Sequence, residues 1–257
     1  MGKNPLSVAI ITKNESHNLP DCLKSVAFAD QVVVVDTGST DGTEAIAKEF
    51  GCDFFIEEWK GFGSQKQSAI DKCNNEWVLL LDADERIPPE TASVICSVVL
   101  NSKKESAAGC SFMRKNFFYG RWIKHMGWWP DRVVRLFRTD LGKMSNANVH
   151  EAVEVEGRIE NLTCCIEHFT ETDLKKILLK IDQYSTLGAE QSFAAGKRSS
   201  ILGAFSRAGI AFLQNYALRL GFLDGSPGLI LATTDSINKF FKYAKLWQLS
   251  RTAEHRR

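Results

Sequence analysis

The feature that most constrains this chain is a set of short apolar runs that each stop at a polar, carboxylate-bearing turn. Leu6 to Thr12 is followed by Lys13-Asn14-Glu15-Ser16, Gln31 to Val35 closes on Asp36, and Trp77 to Leu81 closes on Asp82-Ala83-Asp84. Continuous β-branched and leucine runs, without polar alternation, are strands buried on both faces. Between them lie segments with helical spacing, one ending near Phe50 and another over Ser64 to Cys73, with a further short strand over Cys52 to Ile56. Strands alternating with helices imply a parallel α/β sheet, and ligands of such sheets bind outside the carboxyl ends of the strands. The polar turns fall at those ends.

After a helix around Pro89 to Leu100, the pattern changes to aromatic-rich strands over Cys110 to Tyr119, Val133 to Phe137 and Val149 to Val155, an antiparallel or mixed half. From Asp173 the chain is helical: Leu174, Ile177, Leu178, Ile181, Tyr184 and Leu187 recur at three- and four-residue spacing. The domain reading is therefore residues 1–172 as an α/β catalytic domain and 173–257 as a helical extension.

Charge separates the same two parts. Residues 174–257 carry thirteen Lys and Arg against five Asp and Glu, a net +8, so with a total of +1 the other 173 residues carry −7. An acidic body suits cations, and a basic tail suits an anionic surface. Leu202 to Leu223 is apolar but interrupted by Arg207, Gln214, Asn215 and Arg219, which favours a helix lying in a membrane interface over one that spans it. Seven cysteines without a Cys-x-x-Cys pair read as reduced thiols. The N-terminus lacks the basic flank and long apolar core of a signal peptide, so the expected location is the cytoplasm, peripheral on the inner membrane.

Asp82 and Asp84 carry the chemistry. In extended chain, residues two apart point the same way, so both carboxylates can face one magnesium or manganese ion bridging to a diphosphate. In Val35-Asp36-Thr37-Gly38-Ser39-Thr40-Asp41-Gly42-Thr43 the glycines permit a tight turn, with Asp36 at the strand tip able to accept hydrogen bonds from a base or ribose. Ser39, Thr40 or Asp41 can equally cap the following helix. There is no P-loop, and Gly61-Phe62-Gly63 lacks the third glycine of a dinucleotide fingerprint.

Taken in order, Leu6 to Glu15, Val34 to Thr43 and Leu81 to Glu85 resemble the three opening motifs of family-2 glycosyltransferases with the GT-A fold. Arg135-Leu136-Phe137-Arg138, Val149-His150-Glu151 and Gly221-Phe222-Leu223-Asp224-Gly225 are similar to bacterial lipopolysaccharide-core glucosyltransferases that modify inner-core heptose. The resemblance implies an inverting transferase that moves glucose from a UDP-sugar donor to a glycolipid acceptor. It places the nucleotide on Thr12, Asn14, Glu15 and Asp36, and the diphosphate and divalent metal on Asp82 and Asp84. Arg135 and Arg138 are candidates to clamp phosphate, although on one strand they point to opposite faces.

The family's usual Glu-Asp base pair is not found. Glu151, in the Val-His-Glu motif, is the candidate base over Asp131, which follows Trp129-Pro130 and can be a turn residue. Trp128 and Trp129 can stack on a sugar or pack in a core. Three other readings compete: a non-catalytic nucleotide-sugar scaffold at the membrane, a nucleotidyltransferase, and a haloacid-dehalogenase-like phosphatase. The phosphatase motif opens its fold and continues to Thr or Val where Arg86 stands here.

Overall fold

The computed structural model describes residues 4–101, 107–145 and 152–255, which divide into two compact units. One comprises Met1–Lys115 with Asp131–His168, the other Asn116–Pro130 with Phe169–Arg257.

The first unit opens with β1 (Asn4–Thr12), α1 (Leu19–Ser25), β2 (Ala29–Asp36), α2 (Thr43–Glu49), β3 (Asp53–Ile56), α3 (Phe62–Asp71) and β4 (Trp77–Asp82). There follow β5 (Glu85–Arg86), α4 (Pro89–Leu100) and β6 (Gly109–Phe118), which runs into the second unit, where β7 (Arg121–Trp122) pairs with its end. The chain returns through β8 (Arg132–Arg138), β9 (Gly142–Met144), β10 (Val153–Val155) and β11 (Ile159–Phe169). The main sheet has the order β3-β2-β1-β4-β8-β6-β11-β5; β3, β2, β1 and β4 are parallel, and β8 opposes β4.

Burial explains this order. Along β1, Leu6, Val8 and Ile10 face one layer with Leu79, Leu81 and the helix residues Leu19, Leu23 and Ile95, while Ala9 faces the other with Val33, Val35, Leu80, Ala69 and Ile70. A strand covered on both sides is apolar along almost its whole length, and the buried Ser7 of β1 is satisfied by donating to Gln31 Oε1 at 2.6 Å. Each fully buried Leu, Ile or Val contributes about 1.5–3 kcal/mol. The chain lays β2 and β3 on one side of β1 and then returns to put β4 on the other. That reversal is the switch point where a crevice opens at the strand ends.

The expected first three strands, the strand into Asp82 and the α4 helix all form. The strand Ile159–Phe169 was not expected, because Glu160, Asn161, Thr163 and Glu167 break any apolar run and only Leu162 and Ile166 are buried in it. Residues 149–151 of the expected Val149 to Val155 strand lie outside the described residues.

The second unit contains α5 (Leu174–Ala194), α6 (Ile201–Leu213), a π turn over Gln214–Leu218, a 3-10 turn over Gly221–Asp224 and α7 (Gly225–His255). The Asp173 carboxylate caps α5 by accepting from Lys175 N at 2.8 Å. Residues 116–130, assigned from sequence to the catalytic domain, group with these helices. The reason is a small core in which Phe118, Ile123 and Met126 pack with Ala232, Ile177, Phe212 and Leu231. Buried Asp224 joins the same arrangement, accepting from Lys124 N and His125 N at 3.3 and 3.1 Å. On α6 the small Ala204, Ala208 and Ala211 are buried, whereas Leu202, Phe205, Ile210 and Leu213 are exposed. Among the described residues no helix is long and apolar enough to cross a membrane.

Candidate active site

The register brings three strand ends together: Thr12 pairs with Asp36, and Ile11 with Asp82. The two loops beyond β1 and β2 are knitted to each other. Lys13 Nζ donates to the Thr37 and Gly38 carbonyls at 2.8 and 2.6 Å, and Asn14 N donates to Ser39 Oγ at 2.7 Å. Asn14 has a φ of 55°, and its side-chain oxygen accepts from Thr40 N at 2.8 Å. Asn is among the few side chains that tolerate this left-handed backbone. Glu15 N donates to Thr43 Oγ1 at 2.9 Å, and its carboxylate accepts from Asn18 Nδ2 at 2.9 Å.

Asp36 is the hub of this arrangement. Its Oδ1 accepts from Gly38 N and Ser39 N at 2.7 and 2.6 Å, and its Oδ2 accepts from Thr12 Oγ1 at 2.7 Å and from Ser39 Oγ. A carboxylate has about four acceptor positions, so these protein donors fill Asp36. It braces the loop in this state, and a base or ribose donor must displace one of them. Ser39 Oγ can swing away about one bond, which also releases its contact with Asn14 N.

Asp82 is also engaged. Lys66 Nζ lies 2.8 Å from Oδ1, and Arg135 Nη2 lies 2.7 Å from Oδ2. The same Arg135 nitrogen reaches Glu85 Oε1 at 2.6 Å, Arg114 Nη1 approaches that oxygen at 3.2 Å, and Arg114 Nε meets Asp131 Oδ2 at 2.8 Å. Three cations and three carboxylates thus alternate in one network. Burial alone would raise the Asp82 carboxyl, but Arg135 and Lys66 outweigh it and hold the group below the ordinary carboxylate range. Burial would likewise lower Arg135, and Glu85 with Asp82 reverses the sign.

Asp84 is placed apart from Asp82. The chain turns at Ala83-Asp84, with Ala83 buried in the core, so the extended geometry expected for the pair is not formed. Asp84 Oδ2 stands 3.3 Å from His168 Nε2 on β11, and its buried Oδ1 has no hydrogen-bond partner. β5 and β11 create the pairing, with His168 in register opposite Glu85. Among the described residues no group of three or more His, Cys, Asp or Glu gathers around a single cation position. The chemistry of the Asp84–His168 pair still fits a divalent metal, because an oxygen and an imidazole nitrogen lie side by side and one buried lone-pair acceptor is unused.

Arg135 stands two residues before Phe137, on the sheet face that Phe137 shares with Leu80, beside a β-bulge where Cys110 pairs with Leu136 but Ser111 with Val134. Its Nη2 is committed to carboxylates, so it neutralises the site and does not stand free for a phosphate. Arg138 is not brought to the site. It pairs with Glu76 at 2.9 Å and Asp140 at 3.1 Å, opposite Trp77 at the far end of β4 from Asp82. His150 and Glu151 lie outside the described residues. Asp131 is Arg114's partner.

Sequence reasoning missed Lys66, Glu85, Arg114 and His168. Lys66 had a signal, since it shares the apolar helix face of Ala69, Ile70 and Cys73. His168 had a weaker one, falling in step with Leu162, Cys164 and Ile166.

Comparison with known proteins places the chain in a family. The profile of "Glycosyl transferase family 2" matches residues 7–154. The lipopolysaccharide core biosynthesis glycosyltransferase LpsC of Rhizobium meliloti (strain 1021) is 31% identical, over 96% of this chain and 93% of that protein. An uncharacterized glycosyltransferase of Rickettsia prowazekii (strain Madrid E) is 28% identical over 95% and 87%. Among solved structures, S. aureus TarS 1–349 is similar with a TM-score of 0.45 and 16% identity, over 96% of this chain and 91% of that one. Glucosyl-3-phosphoglycerate synthase from Mycobacterium tuberculosis, solved with Mn2+, UDP and glucosyl-3-phosphoglycerate, has a TM-score of 0.36 and 21% identity over 46% and 45%. The family profile covers more than half of the chain, from β1 through β10, and the full-length relative exceeds 30% identity: this protein is a family-2 glycosyltransferase with a GT-A catalytic fold.

Proposed function

We propose that this transferase moves a hexose, glucose from UDP-glucose, with inversion onto a heptose of the lipopolysaccharide inner core or a similar cell-envelope glycan. The acceptor class rests on the similarity to LpsC, whose name specifies lipopolysaccharide core biosynthesis, and on the resemblance of Gly221-Phe222-Leu223-Asp224-Gly225 to heptose-modifying enzymes. The observation that carries metal-dependent transfer is the unpartnered, buried Asp84 Oδ1 beside His168 at the end of an apolar strand.

In this reading Thr12, Asn14, Glu15 and Asp36 hold the nucleotide, with Ser39 rotating to release an Asp36 lone pair. Asp84 and His168 hold a divalent metal ion, which when bound offsets negative charge on the departing diphosphate. Asp82 takes part through its neutralising partners: Lys66 and Arg135 keep it ionised and fixed beside the donor. Glu151 accepts the acceptor's hydroxyl proton, as general base, while the sugar's anomeric carbon is attacked from the side opposite the nucleotide.

The acceptor is a glycolipid met at the cytoplasmic face of the inner membrane. The exposed Leu202, Phe205, Ile210 and Leu213 lie on one side of α6, opposite its buried alanines, and the segment's +8 charge complements anionic headgroups. Melting temperature with UDP-glucose, with and without manganese, tests the donor and metal. A rise that requires both is expected. No rise with any UDP-sugar, with or without metal, overturns the reading.

A further inference from the structure

The second unit contains a pocket of about 450 Å³ that the transfer reaction above does not use. This volume lies within the ordinary range for small-ligand sites, about 300–1,000 Å³, and holds one or two sugar rings. Its walls include Trp128, Gln214, Asn215, Arg219, Asp235 and Lys239.

Several backbone features hold those groups in place. Gln214 and Asn215 begin the π turn, a widened helical geometry that re-aims side chains and recurs at functional sites. Met126 and Leu220, both at a φ of 59°, flank the crossing where Met126 N donates to the Arg219 carbonyl at 3.0 Å. Asn215 Nδ2 donates to Asp235 Oδ2 at 2.8 Å, and Arg219 Nη1 reaches Asn215 Oδ1 at 3.4 Å. A planar amide, a carboxylate and a guanidinium are therefore linked edge to edge beside an indole.

That combination matches carbohydrate chemistry. Planar polar groups can exchange paired hydrogen bonds with neighbouring hydroxyls, and an indole face covers the C–H side of a pyranose. Charge narrows the class. Arg219 and Lys239 are exposed and cationic against the single carboxylate Asp235, so the pocket has one surplus positive charge. A guanidinium with an ammonium beside it suits a phosphate.

We infer that this pocket binds a phosphorylated sugar ring, supplied by the acceptor glycan, and so recognises the acceptor separately from the residues that hold the donor. The inference rests on the glycosyltransferase reading for its source of ligand, but the binding itself is testable without turnover.

The test uses the full chain with mannose 6-phosphate, mannose and inorganic phosphate as probes, read by saturation-transfer NMR and calorimetric titration. Saturable binding of mannose 6-phosphate is expected, about tenfold tighter than either mannose or inorganic phosphate alone. Arg219→Gln with Lys239→Gln, both at exposed positions, should weaken mannose 6-phosphate by about tenfold or more. Asp235→Asn, which keeps the side-chain shape, should weaken mannose as well as its phosphate.

Absence of binding overturns the inference. So does inorganic phosphate binding as tightly as mannose 6-phosphate, or binding that the three substitutions leave untouched. Hydrolysis of UDP-glucose should be unchanged in these variants. If the native protein hydrolyses the donor but does not bind mannose 6-phosphate, the pocket inference alone fails. If it binds the sugar phosphate through these residues but never engages UDP-glucose, the donor reading alone fails.

Discussion

Asp84 Oδ2 and His168 Nε2 stand 3.3 Å apart, one on the turn after β4 and the other near the end of β11. If this pair holds the metal, His168→Ala should lower the melting temperature of the manganese-bound protein more than that of the metal-free protein, which loses only the packing of a mostly buried imidazole. The manganese concentration for half-maximal turnover should rise by more than about tenfold, since losing even an outer-shell partner of a metal ligand costs about 10- to 100-fold in affinity. Asp84→Asn should act in the same direction and more strongly. Turnover measured against manganese concentration decides this, and an unchanged curve in both variants removes the assignment.

Arg135 presents the opposite balance, with a large structural effect. Replacing it with Met leaves Glu85 buried with Arg114 as its remaining cation in the network, and leaves Asp82 with Lys66. Breaking such a buried ion pair costs about 3–5 kcal/mol. Adding Glu85→Gln to Arg135→Met should recover part of that loss, because it removes the carboxylate left behind. Urea denaturation of the single and double variants measures the coupling.

Stability should also fall on the acid side for a specific reason. Lys72 and Ser68 hydrogen bonds, with burial opposing them, lower the Glu57 carboxyl from 4.5 to about 2. A depressed folded-state value contributes stability that is complete above the unfolded value and lost as pH falls from about 4.5 towards 2. Glu57→Gln should therefore melt lower than the native protein at pH 7, with the gap narrowing below about pH 4.5 and closing near pH 2. Asp41 and Asp82 are lowered too and act with the same sign, so the variant's acid decline becomes shallower but does not vanish.

The assignment of the base separates two carboxylates by kinetics. Glu151→Gln should lower kcat by about 10²- to 10⁴-fold with the melting temperature preserved. Asp131→Asn should mainly weaken the fold, because it removes the nearer of Arg114's two carboxylate partners. Near-native turnover by Glu151→Gln together with an inactive but folded Asp131→Asn would transfer the role to Asp131.

What could be read from sequence followed from how locally each feature is encoded. The strands ending at Thr12, Asp36 and Asp82 were legible because burial on both faces leaves an uninterrupted apolar run. Their polar turns fixed which end of the sheet carries the site. The partners of those residues were not legible. Lys66 and His168 reach the site through a helix face and an antiparallel strand of mixed polarity, and each contact joins segments far apart in the chain. The count of alternating faces held for Arg135 and Arg138, which point to opposite sides, so that only Arg135 meets Asp82. Asp82 and Asp84 face one ion only where the chain between them is extended. The turn at the buried Ala83 sends them to different partners instead.

The interleaving of the two units has a consequence for how the chain acquires its structure. Phe118, Ile123 and Met126 are made early, yet the residues they pack against, from Ile177 to Ala232, are made much later. At about 5–20 residues per second, that segment waits about 5–20 s on the ribosome before Ala232 is synthesised. During that interval its apolar side chains have no native partner, so nascent chains halted before α7 should be chaperone clients. Trimming the helices from the C-terminus would likewise strip the cover from a stretch in the middle of the gene product, so the helical part is not a detachable tail.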